Sequence, residues 1–426
     1  MISRFVMFIA ATLLFVDASA QTAKTTDHQA NDSNYVEQKD IRDFAKKLFA
    51  THHGPTLPSL QPDSTIEINP LTHPVLEQDS TKIKSGKLLF AAIPAIGITI
   101  QTGVTAILAT NISFYTGKMS NTNISSIALN PAVSLDHNQF LLPAVFNIWS
   151  PRNKLNFVGD WRYYIYPTYT YGLGGNSKTS NADLIDYNYG RIYQQVSKNI
   201  TSHLYAGAGY NLDYHWGIKE EGNESYFQDY NNNAKRTVSS GLSVDMIYDG
   251  RKNINNPENA FYGGVTYRSN FTFLGSDQNW QSLYIEFKKY INLPGNSHNV
   301  LAFWNLNWFA FGGKPPYFDL PSTGWDSYSN TGRGYIQGRL RGPGMIYLET
   351  EYRYRITKNG LLGGVVFANA ESVSDFGNNK FQTVLPGYGF GIRIKANKKS
   401  NVNLAIDYGL AIDGSGGFAF NVSEVF

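Results

Sequence analysis

The sequence predicts an all-β chain folded as an antiparallel transmembrane barrel, and three observations predict it. The first is composition. Among 426 residues, 14% are aromatic, with 28 Tyr and 26 Phe, while 39 are Gly and only 16% are charged. Such a mixture is rich in strand and turn formers and thin in helix formers. The second is alternation. From Met345 onward, Ile346, Leu348, Tyr352, Tyr354 and Ile356 share one parity, whereas Tyr347, Glu349, Glu351, Arg353 and Arg355 share the other. A period of two sorts side chains to opposite faces of a strand. The charged face, with Glu349, Glu351, Arg353 and Arg355, requires water, and the tyrosine-rich apolar face suits lipid. A wet lumen inside an apolar exterior satisfies both. The third is the ending, where an alternating segment closes on the aromatic Phe426.

Taken in order, residues 1–20 read as an export signal. Arg4 precedes an apolar stretch over 5–16, and Ala18-Ser19-Ala20 stands before Gln21 as a small-residue cleavage site. The chain has no Cys, so neither a lipid anchor on a cleavage-site cysteine nor a disulfide framework is expected. The next apolar run, 88–98, is about half the roughly 20 residues a spanning helix needs, and Pro94 interrupts it. Residues 21–86, rich in Thr, Asp, Gln, Pro and His, read as a short periplasmic tail. Within it Ile41, Phe44, Ala45, Leu48 and Phe49 recur at helical spacing between Asp40, Arg42, Asp43, Lys46 and Lys47. That pattern predicts one amphipathic helix near 40–51, whose apolar face needs a partner. Docking at the periplasmic mouth, gating of the lumen, and recruitment of a periplasmic or lipoprotein partner are all open.

From 87 to 426 the chain is a series of alternating segments divided by polar, Gly, Asn and Pro turns. Strands are predicted near 87–97, 103–117, 122–134, 138–149, 153–167, 188–199, 202–218, 235–249, 261–274, 279–291, 298–312, 345–356, 361–372, 386–396, 401–410 and 416–426. They number about 16, an even count suited to antiparallel closure. The connection 313–344 is the exception. It holds Pro315, Pro316, Pro321 and six glycines from Gly324 to Gly344, a composition that suits an ordered loop. Loops of that length are functional or disordered.

Enzymatic and nucleic-acid chemistry find little support. A net charge of +3 supplies no dense basic surface for nucleic acid. His52 and His53 lie in the tail, and His203 and His215 stand among strand residues without a Ser and acid in register. Gly172, Gly174 and Gly175 follow a strand end with no helix after them, so they read as a tight turn and not a phosphate loop. No metal-ligand spacing occurs, and no catalytic residue, cofactor or metal is expected.

Several motifs nevertheless carry a family likeness. Arg333-Gly334-Tyr335 is followed by Gly338-Arg339 and Arg341, then by Glu351-Tyr352-Arg353. Tyr248-Asp249 with Arg251 and Pro257, Tyr166-Pro167 with Tyr171-Gly172 and Gly174, and the ending from Leu404-Ala405-Ile406-Asp407-Tyr408-Gly409 to Gly417-Phe418-Ala419-Phe420-Asn421-Val422 stand in the same order as in that family. Over 87–426 the chain resembles the BamA/TamA-type outer-membrane barrels, the bacterial surface antigen family, in a short form without periplasmic repeats. The resemblance implies an extracellular loop folded into the lumen and pinned by Arg333, and a role in outer-membrane biogenesis through protein insertion or lipid transfer. A passive pore or structural barrel is the competing class, and a lipid-acting outer-membrane enzyme the third. The family places an Asp in an F-x-D-x-G pattern on the strand receiving the arginine, but this chain reads Phe367-Ala368-Asn369-Ala370-Glu371. Arg333 is therefore expected to pair with Glu351 or Glu371, with Asn369 accepting a hydrogen bond. Glu349, Arg353 and Arg355 are expected as a salt-bridged inner wall. Gly417, Phe420, Val422 and Phe426 resemble the C-terminal signal read by the barrel assembly machinery. Pro94 and Gly97 near the start of the barrel, facing Gly416 and Gly417 at its end, predict a weak seam in contact with outer-membrane lipid.

Overall fold

The computed structural model describes residues 38–40, 43 and 89–426 except 100, 101, 119, 124, 223, 328, 399 and 400. The predicted signal over 1–20 and most of the tail over 21–86 lie outside the described residues. Eighteen strand segments form one sheet. In chain order they are β1 (Leu89–Thr99), β2 (Gly103–Phe114), β3 (Ser125–Leu129), β4 (Ala132–Ser134), β5 (Phe140–Trp149), β6 (Leu155–Ile165), β7 (Thr168–Thr170), β8 (Asp183–Asn199) and β9 (Leu204–Glu220). There follow β10 (Arg236–Asp249), β11 (Ala260–Asn270), β12 (Trp280–Asn292), β13 (Val300–Phe311), β14 (Gly344–Arg355), β15 (Leu362–Val373), β16 (Leu385–Asn397), β17 (Val402–Ala411) and β18 (Gly416–Val422). One short helix, α1 (Tyr226–Tyr230), sits in the β9–β10 connection.

Every ladder is antiparallel. β3 and β4 both pair with β2 and with β5, and β6 and β7 both pair with β8. Each of these pairs is a single stave broken at a proline, Pro131 or Pro167, which has no N–H to give to a ladder. The eighteen segments therefore make sixteen staves, the number read from the alternation. Three boundaries are corrected. β8, expected from 188, begins at Asp183, and β11, expected to 274, stops at Asn270 because Thr272–Leu274 coils into a 3-10 turn. The last strand, expected over 416–426, ends at Val422, because Ser423 takes a left-handed backbone with φ 80° and turns the chain off the sheet.

Alternation places lipid-compatible residues outside and polar ones inside. Leu242, Val244 and Met246 of β10, Tyr388, Phe390 and Ile392 of β16, and Phe418, Phe420 and Val422 of β18 are all exposed. Their neighbours of opposite parity, such as Ser243 and Asp245 of β10 and Arg393 of β16, are buried toward the lumen. Among the described residues no helix is long and apolar enough to cross a membrane. One barrel end carries the long connections, including 312–343 and the segment with α1, and the other carries shorter turns. Short turns mark the periplasmic end of membrane barrels and long loops the outer end.

At the short-turn end a piece of the tail is seated. Asp43 is helical, and Asp40 and Asp43 cap one another, Asp40 N donating to Asp43 Oδ2 (3.1 Å) and Asp43 N to Asp40 Oδ1 (3.3 Å). Lys398 donates to both carboxylates, through its backbone N to Asp40 (3.1 Å) and its Nζ to Asp43 (2.8 Å), and Lys39 N donates to Asn359 O (2.9 Å). The start of the expected helix thus touches the β14–β15 and β16–β17 turns, while the rest of 40–51 lies outside the described residues.

Candidate functional site

The connection 313–344 enters the lumen as a folded hairpin. Its two limbs join through Thr323 N to Leu340 O (3.1 Å), Gly338 N to Thr323 O (2.8 Å) and Gly342 N to Pro321 O (3.1 Å). Asp326 Oδ1 closes the turn at its tip by accepting from Asn330 N (3.0 Å), Thr331 N and Thr331 Oγ1 (both 2.8 Å). Nearer the outer end, Tyr317, Phe318 and Leu320 pack with Tyr187, Tyr189, Phe227 and Trp280. His215 stacks on Tyr189 (4.5 Å between centroids) and packs on Phe318 (5.0 Å), a packing position for a histidine that the sequence left without partners.

Arg333 lies deepest. Its Nη1 donates to Asp407 Oδ2 (2.9 Å) and its Nη2 to Glu351 Oε2 (2.6 Å) and to Glu349 Oε1, while the guanidinium lies 3.7 Å from the centre of the Phe367 ring. Three carboxylates around one planar fork match its spread of donors. Asn369 Nδ2 donates to the Arg333 carbonyl (3.0 Å), and Tyr335 Oη to the Pro386 carbonyl (2.6 Å). Gly334, at φ 106°, lies backbone to backbone against β17. A Cβ there would meet Leu410 at 2.9 Å, and one on Gly409 would meet Gly334 N at 2.6 Å, so the seat accepts glycine on both sides. Farther out, Arg339 Nε donates to Asp413 Oδ2 (2.7 Å), and Arg341 Nη1 to the Tyr317 carbonyl (2.9 Å).

The last residues of the sequence enter the same lumen from the short-turn end. Glu424 N donates to Asn255 O in the β10–β11 turn (2.9 Å), and its carboxylate accepts from Arg393 Nε (2.7 Å) and Asn403 Nδ2 (2.6 Å). Burial would raise the Glu424 carboxyl, but Arg393 and Arg353 outweigh it and hold it well below the usual carboxylate range. Phe426 packs on Trp304 (5.3 Å between centroids) and Tyr290 (6.3 Å), and its carbonyl accepts from Arg353 Nη2 (2.8 Å).

A sixteen-stave barrel whose long outer loop delivers an arginine to carboxylates in mid-lumen can be set beside solved structures. It matches BamA from Haemophilus ducreyi lacking POTRA domains 1–3, with TM-score 0.54, 15% identity, and coverage of 79% of this chain and 70% of that one. The fold is that of a BamA-type barrel. CdiB from Acinetobacter baumannii also matches, with TM-score 0.50, 14% identity, and coverage of 79% of this chain and 60% of the other. No family model matches the chain, and no curated protein does.

In this BamA-type barrel the predicted residues divide. Arg333, Gly334, Tyr335, Glu349, Glu351 and Asn369 come together, and Arg353 joins them through Glu351. Glu371 does not reach Arg333; it accepts from Thr323 Oγ1 (2.8 Å). Register explains this, since Glu371 pairs with Tyr347, whereas Phe367, under the guanidinium, pairs with Glu351 farther down β14. Asn369 was expected as an acceptor and is instead the donor. Arg355 is exposed at the short-turn rim, one inward position beyond the last buried one, Arg353, and lies outside the charged wall. Of the expected C-terminal signal, Phe420 and Val422 face outward, Gly417 faces inward, and Phe426 has left the strand. Sequence reasoning missed Asp407, Arg393 and Glu424 as partners. Asp407 between Ile406 and Tyr408, and Arg393 between Ile392 and Ile394 with Lys395 on the same parity, carry the signal that would have found them, charge on the inward parity of a strand whose other parity is apolar.

Proposed function

We propose that this BamA-type barrel resides in the outer membrane and assists biogenesis there by opening transiently between its first and last strands to pass lipid or to pair with an incoming strand. The observation that carries this reading is the seam. β1 and β18 lie within 8 Å between Cα atoms, yet no ladder joins them among the described residues. β1 pairs with β2 from Leu89 to Thr99, whereas β18 pairs with β17 only from Gly416 to Val422. Pro94, which has no N–H to donate, sits in β1, a residue tolerated at an edge and not within a paired sheet. An unsatisfied edge in hydrocarbon is costly, so the seam is where the wall parts first. A cavity of about 290 Å³ lies against β18 from Gly417 to Asn421, with Arg162, Tyr166, Trp325 and Arg333 around it. Asp40 and Asp43, docked at the short-turn end, would hold the start of the tail where a periplasmic or lipoprotein partner can reach it.

The chain has no cysteine, so one introduced in β1 and one in β18 form a clean staple. Oxidation is expected to abolish activity in cells and reduction to restore it; unchanged growth and envelope composition under oxidation would remove the proposal. A lumen entered by a loop from one end and by residues 423–426 from the other also predicts near-silent single-channel recordings. Steady ohmic openings would favour a passive pore instead.

A further inference from the structure

The loop and the last residues of the sequence meet in one closed circuit of charge. Arg333 binds Glu351 (2.6 Å), Glu351 binds Arg353, Arg353 lies 3.6 Å from Glu424, Glu424 binds Arg393 (2.7 Å), Arg393 binds Asp407 (2.6 Å), and Asp407 returns to Arg333 (2.9 Å). Signs alternate around the ring, and every member is buried. Glu351 and Arg353 of β14, Arg393 of β16 and Asp407 of β17 belong to the wall. The other two are guests: Arg333 arrives with the loop, and Glu424 with 423–426. They do not bond each other. Each supplies the counter-charge to wall groups that the other leaves half-satisfied, and between groups buried from water such opposite charges favour each other's presence. Two further links run directly between the guest segments. Asn330 Nδ2 donates to Val425 O (2.9 Å), and Tyr335 and Leu340 of the loop share one apolar cluster with Val425 and Phe426.

We infer that the loop 313–344 and the segment 423–426 occupy the lumen cooperatively, so that withdrawal of either loosens the other. The ring works as a lock between the outer loop and the end of the last strand. With 423–426 seated, β18 stops at Val422; with it released, the chain is free to run on past Ser423 along the seam. The bearing on the seam rests on the proposed function. The coupling itself does not, and is measured on purified protein.

Single cysteines at Val425 and at Leu340, both buried, report the two guests in a chain that otherwise has none. The full-length protein in detergent is labelled with a water-soluble maleimide. Arg333→Ala is expected to speed labelling of Val425→Cys, and Glu424→Gln that of Leu340→Cys, each on the order of 5-fold or more for an ordinary coupling. The double variant should then add little to either single one. If each substitution exposes only the reporter on its own segment, the coupling is refuted. Heat-modifiable migration on gels checks that each variant folds. Arg333→Gln, which removes the charge but keeps a polar side chain of some reach, serves in place of the alanine if that variant does not.

Discussion

Replacement of Arg333 by alanine is expected to release the loop and to lower the unfolding midpoint of the purified barrel more than any other single substitution in the loop. Three buried carboxylates, Glu349, Glu351 and Asp407, share this guanidinium. Removing one partner of a buried ion pair costs about 3–5 kcal/mol, chiefly because the remaining charge is left without compensation. Here Arg353 and Arg393 remain for Glu351 and Asp407, whereas Glu349 keeps only the Tyr347 hydroxyl. Arg333→Lys should fall between parent and alanine, since an ammonium keeps the charge but cannot spread over three carboxylates or lie flat on Phe367. Removal of both sides together discriminates further. If the penalty is electrostatic, adding Glu349→Gln and Asp407→Asn to an Arg333→Met chain should recover part of the lost stability. Thermal unfolding in detergent, followed by gel migration, measures all of these. An Arg333→Ala midpoint equal to that of the parent would mean that the other contacts, among them the packing of Tyr317 and Phe318 and the Arg339–Asp413 pair, hold the loop without it.

The parts of this molecule that obey a period of two were legible, and those that depend on which rungs face each other were not. Glu349, Glu351 and Arg353 could be placed on an inward face because they alternate with Leu348, Thr350 and Tyr352 within one strand. Asp407 could not be assigned to Arg333, because that contact depends on the registers of β14 to β17, in which Phe367 pairs with Glu351 and with Gly389, and Asp407 pairs with Gly391. Glycines at 389 and 391 put no side chain between the arginine and its distant acid, and parity says nothing about such a gap. The stave break at Pro131 passed unseen for a related reason, since the apolar pattern continues across it, whereas at Pro167 the expected strand stopped where the stave resumes as β7 over Thr168–Thr170. The overlong final strand has the same origin. Phe418, Phe420, Val422 and Phe426 share a parity, so alternation extends the strand to the end, while a single left-handed residue at Ser423 reverses which side Phe426 faces.

That reversal separates two roles which a C-terminal aromatic ordinarily combines. Phe420 is exposed on the outer face of β18, available to any partner that pairs with the strand or touches its lipid side. Phe426 is 5% exposed, inside the lumen, with Trp304, Tyr290 and Arg353 around it. Phe426→Ala is therefore expected to cost about 3 kcal/mol of stability, the lower range for emptying a buried phenyl site, and to do so in purified protein refolded from urea into detergent with no assembly factor present. Phe420→Ala should leave that midpoint close to the parent's, because its side chain gives up contact with lipid or detergent and not with protein, yet reduce insertion in cells if the outer face is what the assembly machinery reads. Deletion of Phe426 should give both defects, leaving the chain periplasmic and protease-sensitive in cells and destabilised in detergent. The decisive comparison is between the two settings. A Phe426→Ala protein that refolds with the parent's midpoint but fails to insert in cells would show that the terminal ring acts through recognition, and that its packing against Trp304 contributes little; failure in both settings would mean that the lumenal seat is part of what the folded barrel needs to hold its last strand.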